Sequence, residues 1–453
     1  MDAIKLVDSS HARSKCITSR SLPNPGASLL IAGPPTVTVL LDSFKRVRCD
    51  ECLQVLGTRP IECRMCREDV YCDSSCQQKA WLNHHKILCK VLPRIRHALL
   101  SVQMNESERT DGLLLCKLAV QYFSNINEAS LPNLTKAHAS SLSSSPSETF
   151  LSLLSTPTPS SSLLPELLPP FLPSHLTPDI LSSLLSRFQR NNHVLSTPDM
   201  KLEPFAHAVL APISRAVNHS CAPSAAVSCS WGADGLIVGL RTLRALKEGE
   251  EVTISYLDPL TSLKTRRETL KTIYYFDCVC SLCCSSADPP ASSPLPPPVV
   301  IPSNPALPRA SAKPTAYPDI PRPEGQFIGR IPEKEIANLT KRFEDAHHEG
   351  RWSEAEKLGE AVLKVYWLGY GPFWPLIGTH LLSQASISLN LSILLPVRDP
   401  TGLRHLARAY MFLSWANVVL GVCWGEGSER QAAIEPVKSA LWGELKEIGI
   451  IPP

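Results

Sequence analysis

The chain has 453 residues, too many for one simple domain, and about 150 residues per domain suggests roughly three. Hydrophobic residues reach 43% and aromatics 6%, enough for a sizeable core, but charged residues are only 19% against 41 prolines, so part of the chain is expected never to pack. The net charge of +3 gives no case for nucleic-acid binding.

The N-terminus, Met1 to Asp8, has no apolar stretch of signal-peptide length. The longest apolar run, residues 409–424, is interrupted by Ser414 and Asn417 and falls short of the ~20 residues a bilayer requires. No membrane association is expected. The sixteen cysteines are therefore read as intracellular, reduced thiols, suited to metal sooner than to disulfides.

Two strands are predicted first, over 27–31 and 36–41, separated by Gly33-Pro34-Pro35. A cysteine-rich module follows from Cys49 to Cys89. Residues 130–178 are rich in serine, leucine and proline, which predicts a solvated spacer with brief helices at most. Strand character returns at 236–240 and 251–256. Residues 289–323, including Pro296-Pro297-Pro298, predict an extended, stiff linker. Beyond it the period becomes helical. Ile336, Leu339 and Phe343 share one face, and Ala355, Leu358, Val362 and Val365 another, with Gly350 at the turn. Leu403, Leu406, Tyr410, Leu413, Asn417 and Leu420 keep the same spacing. Residues 385–393 alternate like a strand, but their neighbours place them in a helix. Stacked helical pairs are expected here.

The module contains Cys49-x2-Cys52, Cys63-x2-Cys66, Cys72-x3-Cys76 and His85-x3-Cys89. Zinc takes four thiolate or imidazole ligands in a tetrahedron, and a C-x2-C knuckle offers two sulfurs from one turn. Four spaced pairs make two complete sites. His84 rivals His85, which keeps the x3 spacing to Cys89. Arg46, Arg48, Arg59, Arg64, Arg67 and Lys79 are read as offsetting the thiolate charge. Further on, Cys278-x-Cys280-x2-Cys283 supplies three thiolates and lacks a fourth; Cys221 is the natural partner, and Cys284 competes with Cys283. With three zinc ions bound, the net charge becomes about −2. Cys16, Cys116, Cys229 and Cys423 are read as small buried hydrophobes.

The cysteine pairs, with Tyr71, Gln77, Trp81 and His85-Lys86 among them, resemble the MYND zinc finger. That resemblance implies interleaved sites, Cys49, Cys52, Cys72 and Cys76 on one ion and Cys63, Cys66, His85 and Cys89 on the other. Asn218-His219-Ser220-Cys221-Ala222-Pro223, then Gly249 to Asp258, then Tyr274-Tyr275-Phe276-Asp277-Cys278 resemble, in this order, the SET domain. A finger inserted into such a domain resembles the SET and MYND family of protein lysine methyltransferases.

The resemblance implies an α+β multidomain chain, a β-rich SET fold split by the finger, with a post-SET zinc site and a C-terminal helical, TPR-like domain. The parts would be an N-terminal SET segment 1–48, the finger 49–89, and an insertion with an inner SET segment 90–210. A catalytic core with post-SET would occupy 211–284, a linker 285–325 and the helical domain 326–453. It implies S-adenosylmethionine as cofactor, with Asn218 and His219 holding its adenine, Phe276 against it, and Asn191 (Asn192 as fallback) gripping its methionine part. Arg13 would meet its carboxylate. Tyr256 would be catalytic and Tyr274 the second channel tyrosine, while Tyr275 reads as plain packing. A lysine-bearing protein or histone would be the substrate, in nucleus or cytoplasm. Finger and helical domain would be partner-binding surfaces. Two departures stand out: the stretch Ala12-Arg13-Ser14-Lys15-Cys16-Ile17-Thr18, with no glycine where the family has a Gly-x-Gly turn, and Ser224 where an asparagine normally follows Pro223. They leave open a catalytically inactive scaffold that gathers partners.

Overall fold

The structure is a computed structural model describing residues 3–7, 15–124, 146–156, 162–196, 203–232, 235–285, 332–425 and 429–449. Arg13 and the proline-rich linker, apart from its first residue, lie outside the described residues.

Strands β1 (Ile4–Val7) and β2 (Lys15–Thr18) form an antiparallel ribbon. Strands β3 (Ser28–Gly33) and β4 (Val37–Leu40) then enter separate three-stranded sheets. The cysteine-rich module holds a two-residue ladder, β5 (Ile61–Glu62) and β6 (Val70–Tyr71), then α1 (Ser74–Ala80), a π-helical turn over Trp81–His85, and α2 (Lys86–Leu88). Asp73 starts α1 by accepting the Cys76 N–H at 2.8 Å, an N-cap on an otherwise orphaned donor. Two longer helices follow, α3 (Leu92–Ser101) and α4 (Glu106–Phe123). Asn105 and Glu108 close a reciprocal capping box at the start of α4.

The serine-rich stretch departs from the spacer reading. Helices α5 (Pro146–Leu151), α6 (Leu164–Leu167) and α7 (Pro178–Phe188) pack onto α4 and the cysteine-rich module. Phe150, Leu168 and Leu181 are fully buried there. Its prolines start short helices at N-terminal positions, where a missing N–H costs nothing. Its leucines then supply apolar faces.

The chain continues through β7 (Asn192–Ser196), β8 (Pro204–Val209), α8 (Ala211–Ala216), β9 (Asn218–His219), β10 (Ala225–Gly232), β11 (Gly235–Thr242) and β12 (Thr253–Ile254). The sheets order as β10-β11-β3 and β4-β8-β7, and β9 pairs in parallel with β12. Only two residues of the strand expected over 251–256 form β12. The segment divides its partners: Val252 N–H donates to Cys16 O at 2.7 Å, while Thr253 and Ile254 face Asn218 and His219.

Helices α9 (Leu263–Ile273) and α10 (Ser281–Ser285) precede the C-terminal helices α11 (Glu333–His348), α12 (Trp352–Tyr370), α13 (Pro375–Ile393), α14 (Pro400–Trp424) and α15 (Glu429–Glu447). The alternating run 385–393 is helical as expected. Because α13 packs against both α12 and α14, it buries several faces, and strict helical periodicity is not required of it. The apolar run 409–424, read as too short for a bilayer, is part of the 25-residue α14. Among the described residues this is the one helix long and apolar enough to cross a membrane. Its most apolar window is 67% buried inside the protein, against α13, α15 and strands β10 and β11.

Candidate functional site

The cysteines gather into three groups, and all sixteen are free thiols. Cys49, Cys52, Cys72 and Cys76 form one, Cys63, Cys66, His85 and Cys89 a second, and Cys221, Cys278, Cys280 and Cys283 a third; ligand atoms within each group lie within 4.8 Å of one another. Tetrahedral zinc with sulfur at about 2.3 Å needs sulfurs about 3.8 Å apart. Cys52 to Cys72 is 3.6 Å, Cys63 to Cys89 3.6 Å and Cys221 to Cys283 3.5 Å. These donor sets fit zinc.

Between the histidines the geometry decides. His85 Nε2 stands 3.3 Å from Cys63 Sγ and 3.6 Å from Cys66 Sγ. Its Nδ1 meets Asp69 Oδ2 at 3.0 Å, the carboxylate–histidine arrangement that orients a metal-bound imidazole. His84 is buried but belongs to none of the three groups. Cys284 is exposed, its thiol on Val279 O at 3.4 Å, so Cys283 completes the third group. Of the residual cysteines, Cys16, Cys116 and Cys423 are buried as expected; Cys229 is half-buried. Among the basic residues of the module, Arg48 turns inward, its guanidinium 4.5 Å from the Phe205 ring centroid.

The third group borders a cluster of half-buried side chains: Asn218, His219, Tyr256, Tyr274 and Phe276. Strands β9 and β12 set the first two beside the approach to Tyr256. His219 Nδ1 accepts the Tyr256 backbone N–H at 3.0 Å. That leaves Nε2 to carry the proton, pointing at Cys221 Sγ 3.2 Å away. Burial pushes the His219 pKa down to about 4, so the ring is neutral near pH 7. Ring centroids stand 5.2 Å apart for His219 and Tyr256, 5.9 Å for His219 and Phe276, and 5.0 Å for Tyr256 and Tyr274. Tyr256 Oη donates to Val217 O at 2.8 Å. Burial raises the Tyr274 phenol, with the neighbouring Tyr256 acting the same way. The rings are only half-buried, unlike the fully buried side chains of the core.

Asn191, at the end of α7, is buried, and its amide donates to Arg187 O at 2.6 Å. Asn192, the fallback, donates its amide to Asp111 at 2.8 Å. Tyr275 is not core packing: it is 42% exposed and has a left-handed φ of 60°. Ser224, one of the two departures, is fully buried, and its hydroxyl accepts the Thr253 N–H at 2.9 Å, tying the two ends of the site together.

Three contributors escaped the sequence reading. Glu251 accepts the Asn218 amide at 2.9 Å and meets Lys15 at 3.6 Å. Asp69 and Arg190 act on His85 and Tyr274. Their partners lie far along the chain or carry no motif, so no local signal marks them.

A family model for the SET domain matches residues 56–257. Histone-lysine N-methyltransferase ASHR1 of Arabidopsis thaliana is 27% identical over 291 residues, 61% of this chain and 56% of that protein. Histone-lysine N-methyltransferase SMYD3 of Homo sapiens is 29% identical over 274 residues, 57% of this chain and 56% of its own. N-lysine methyltransferase SMYD2-B of Xenopus laevis is 25% identical over 278 residues, 58% and 57% respectively. The chain thus spans a little over half the length of the curated relatives it matches.

Proposed function

We propose that this chain, which matches the SET-domain model over residues 56–257 and is similar to protein lysine methyltransferases, is itself an S-adenosylmethionine-dependent protein lysine methyltransferase of the SET type carrying a MYND-like zinc finger. The observation that carries the reading is the meeting of His219, Tyr256, Tyr274 and Phe276, with Asn218 adjacent in β9, beside the third sulfur cluster. The bound cofactor supplies an electrophilic methyl group on a sulfonium.

Asn218 and His219 would hold the adenine, with Phe276 lying against it. Asn191 would grip the methionine part from the end of α7, and Arg13 would meet its carboxylate. The mixture of amide, neutral imidazole and aromatic faces suits a flat heterocycle next to a cation. The protein's task toward the lysine is positional, since an amine attacks a methyl in line and only in its neutral form. Tyr256 and Tyr274 orient the amine without adding charge. The Tyr256 hydroxyl, fixed on Val217 O, cannot swing freely. Burial of the site favours the uncharged amine. The three sulfur clusters would hold zinc and supply rigidity.

The substrate would be a lysine-bearing segment of a histone or another protein, in nucleus or cytoplasm. The finger and the helical domain would serve as partner surfaces. No membrane or nucleic acid enters this reading.

Titration calorimetry of the full chain tests it. S-adenosylmethionine should give binding heat that Asn218→Ala abolishes. Tyr256→Phe should keep the heat but lose methyl transfer on a lysine peptide array. Absence of heat with the native chain at millimolar cofactor would leave only the inactive scaffold.

A further inference from the structure

We propose that Arg190 is a positioning residue for this site, one that locks the second channel tyrosine and recruits the serine-rich insert as its brace. This rests on the methyltransferase reading above for its catalytic consequence, but not for its geometry.

The guanidinium lies between three elements. One nitrogen, Nη1, donates to Ser155 O at 3.0 Å, in the segment following α5. The other, Nη2, donates to Tyr274 O. Its Cζ also lies over the Tyr275 ring, 5.1 Å from the centroid. Each contact addresses a local difficulty. Tyr274 stands at the C-terminal end of α9, where carbonyls have no intrahelical donor. The next residue, Tyr275, has a φ of 60°, a left-handed conformation that glycine adopts freely and a tyrosine does not. The reversal brings the Phe276 N–H back toward Leu270 O at 3.3 Å. It thereby places Tyr274 against Tyr256 and Phe276 against His219, with Tyr275 outside. The planar fork of an arginine can hold a carbonyl on each side and stack at once; a lysine cannot.

Residue 190 also immediately precedes Asn191, whose side chain is fixed on Arg187 O. One guanidinium therefore ties the end of α7 to the tyrosine wall. The insert, folded by its own buried apolar side chains, is coupled to the site through Ser155. No substrate contact is assigned to Arg190, and its effect is through Tyr274.

The test uses the full chain with Arg190→Ala and Arg190→Lys, each also carrying 3-fluorotyrosine at position 274 or, as a control, at 410. Both variants should lower kcat about 10- to 100-fold, as misplacement by an ångström does. The KM for S-adenosylmethionine should stay within about twofold, since the adenine side is untouched. Added ethylguanidinium should recover part of the Arg190→Ala loss. The fluorine resonance of residue 274 should shift and broaden in both variants while that of residue 410 does not move. Zinc content read alongside should remain that of the native chain.

Native kcat in Arg190→Ala would overturn the proposal, and so would an unmoved 274 resonance. Equal loss in kcat and in metal content would also do so, by reducing Arg190 to general support. A native chain with no methyl transfer whose 274 resonance still responds to Arg190→Ala would sink the methyltransferase reading and leave the clamp standing.

Discussion

Cys221→Ser should remove one metal ion and no more. The four sulfurs of the third cluster come from two places in the chain, Cys221 from the loop after β9 and the others from residues 278–283. A structural zinc site is worth about 10–16 kcal/mol of apparent binding free energy. Shared over four ligands, one thiolate accounts for about 2.5–4 kcal/mol, or roughly two to three powers of ten in affinity. That loss is enough for a mild chelator to strip this site while the two sites of the module, which share no ligand with it, stay filled. Elemental analysis after dialysis should therefore fall from three zinc ions per chain to two. Cys284→Ser, a thiol exposed and outside the cluster, should keep three. The consequence extends beyond metal, because His219 Nε2 points at the Cys221 sulfur. Cofactor heat should weaken in Cys221→Ser even at protein concentrations where the chain is fully folded. A variant that keeps three ions, or a Cys284→Ser variant that loses one, would refute the assignment.

Phe150→Ala tests the packing of the serine-rich insert. A spacer residue would be neutral, whereas a fully buried ring should cost about 3–5 kcal/mol, read as a lowered urea midpoint. An unchanged midpoint would return the segment to the spacer class. The pH dependence of the helical domain provides another test. Burial pushes the His380 pKa down to about 4, and its imidazole donates to Gly359 O at 2.7 Å. A histidine depressed in the fold is protonated more readily when unfolded, so its stabilising share is complete above pH 6.5 and declines as pH falls toward 4. The span amounts to about 3 kcal/mol at most. Metal sites titrate in the same range, so the measurement is the difference between native and His380→Gln unfolding curves from pH 7 to 5. The variant should show the shallower decline, and parallel curves would contradict the sign argument.

The three sulfur clusters were legible because zinc would impose both residue type and spacing: Cys49-x2-Cys52 or His85-x3-Cys89 has few other physical reasons to exist. The short strings Asn218-His219 and Tyr274-Tyr275-Phe276 marked residues that the fold brings near one another, because polar and aromatic residues there interrupt what would otherwise be core. The insert was not legible. Its serines and prolines outweigh its leucines in any compositional reading, yet Leu164 and Leu168, four apart, share a helical face and are both buried. The strand over 251–256 misled for a different reason. Its alternation is genuine, but its hydrogen bonds go to β2 at Val252 and to β9 beyond it, and pairing partners do not show in a single strand's pattern. Arg190, Glu251 and Asp69 are the general case of polar groups whose partners are decided by the fold.

Strands of two residues cannot by themselves fix a reaction geometry, because a ladder that short has almost no register to lose. β9 and β12 are that short, and yet they carry Asn218, His219 and the approach to Tyr256. The rigidity is imported. On one side the third sulfur cluster fixes the loop after β9 and reaches His219. On another, the segment after Tyr256 is tied to the C-terminal helices: Tyr370 Oη donates to Asp258 Oδ2 at 3.1 Å, the Ser262 N–H donates to Glu333 at 2.6 Å, and Leu260 rests on Gly369, where a Cβ would come within 1.9 Å of its Cδ2. A third hold is the guanidinium of Arg190 on the far side of Tyr274. The helical region is thus more than an appended module: its first two helices help to set the chain between Tyr256 and Tyr274. Loosening Gly369 or Glu333 should disturb the tyrosine pair sooner than the remote helices α14 and α15.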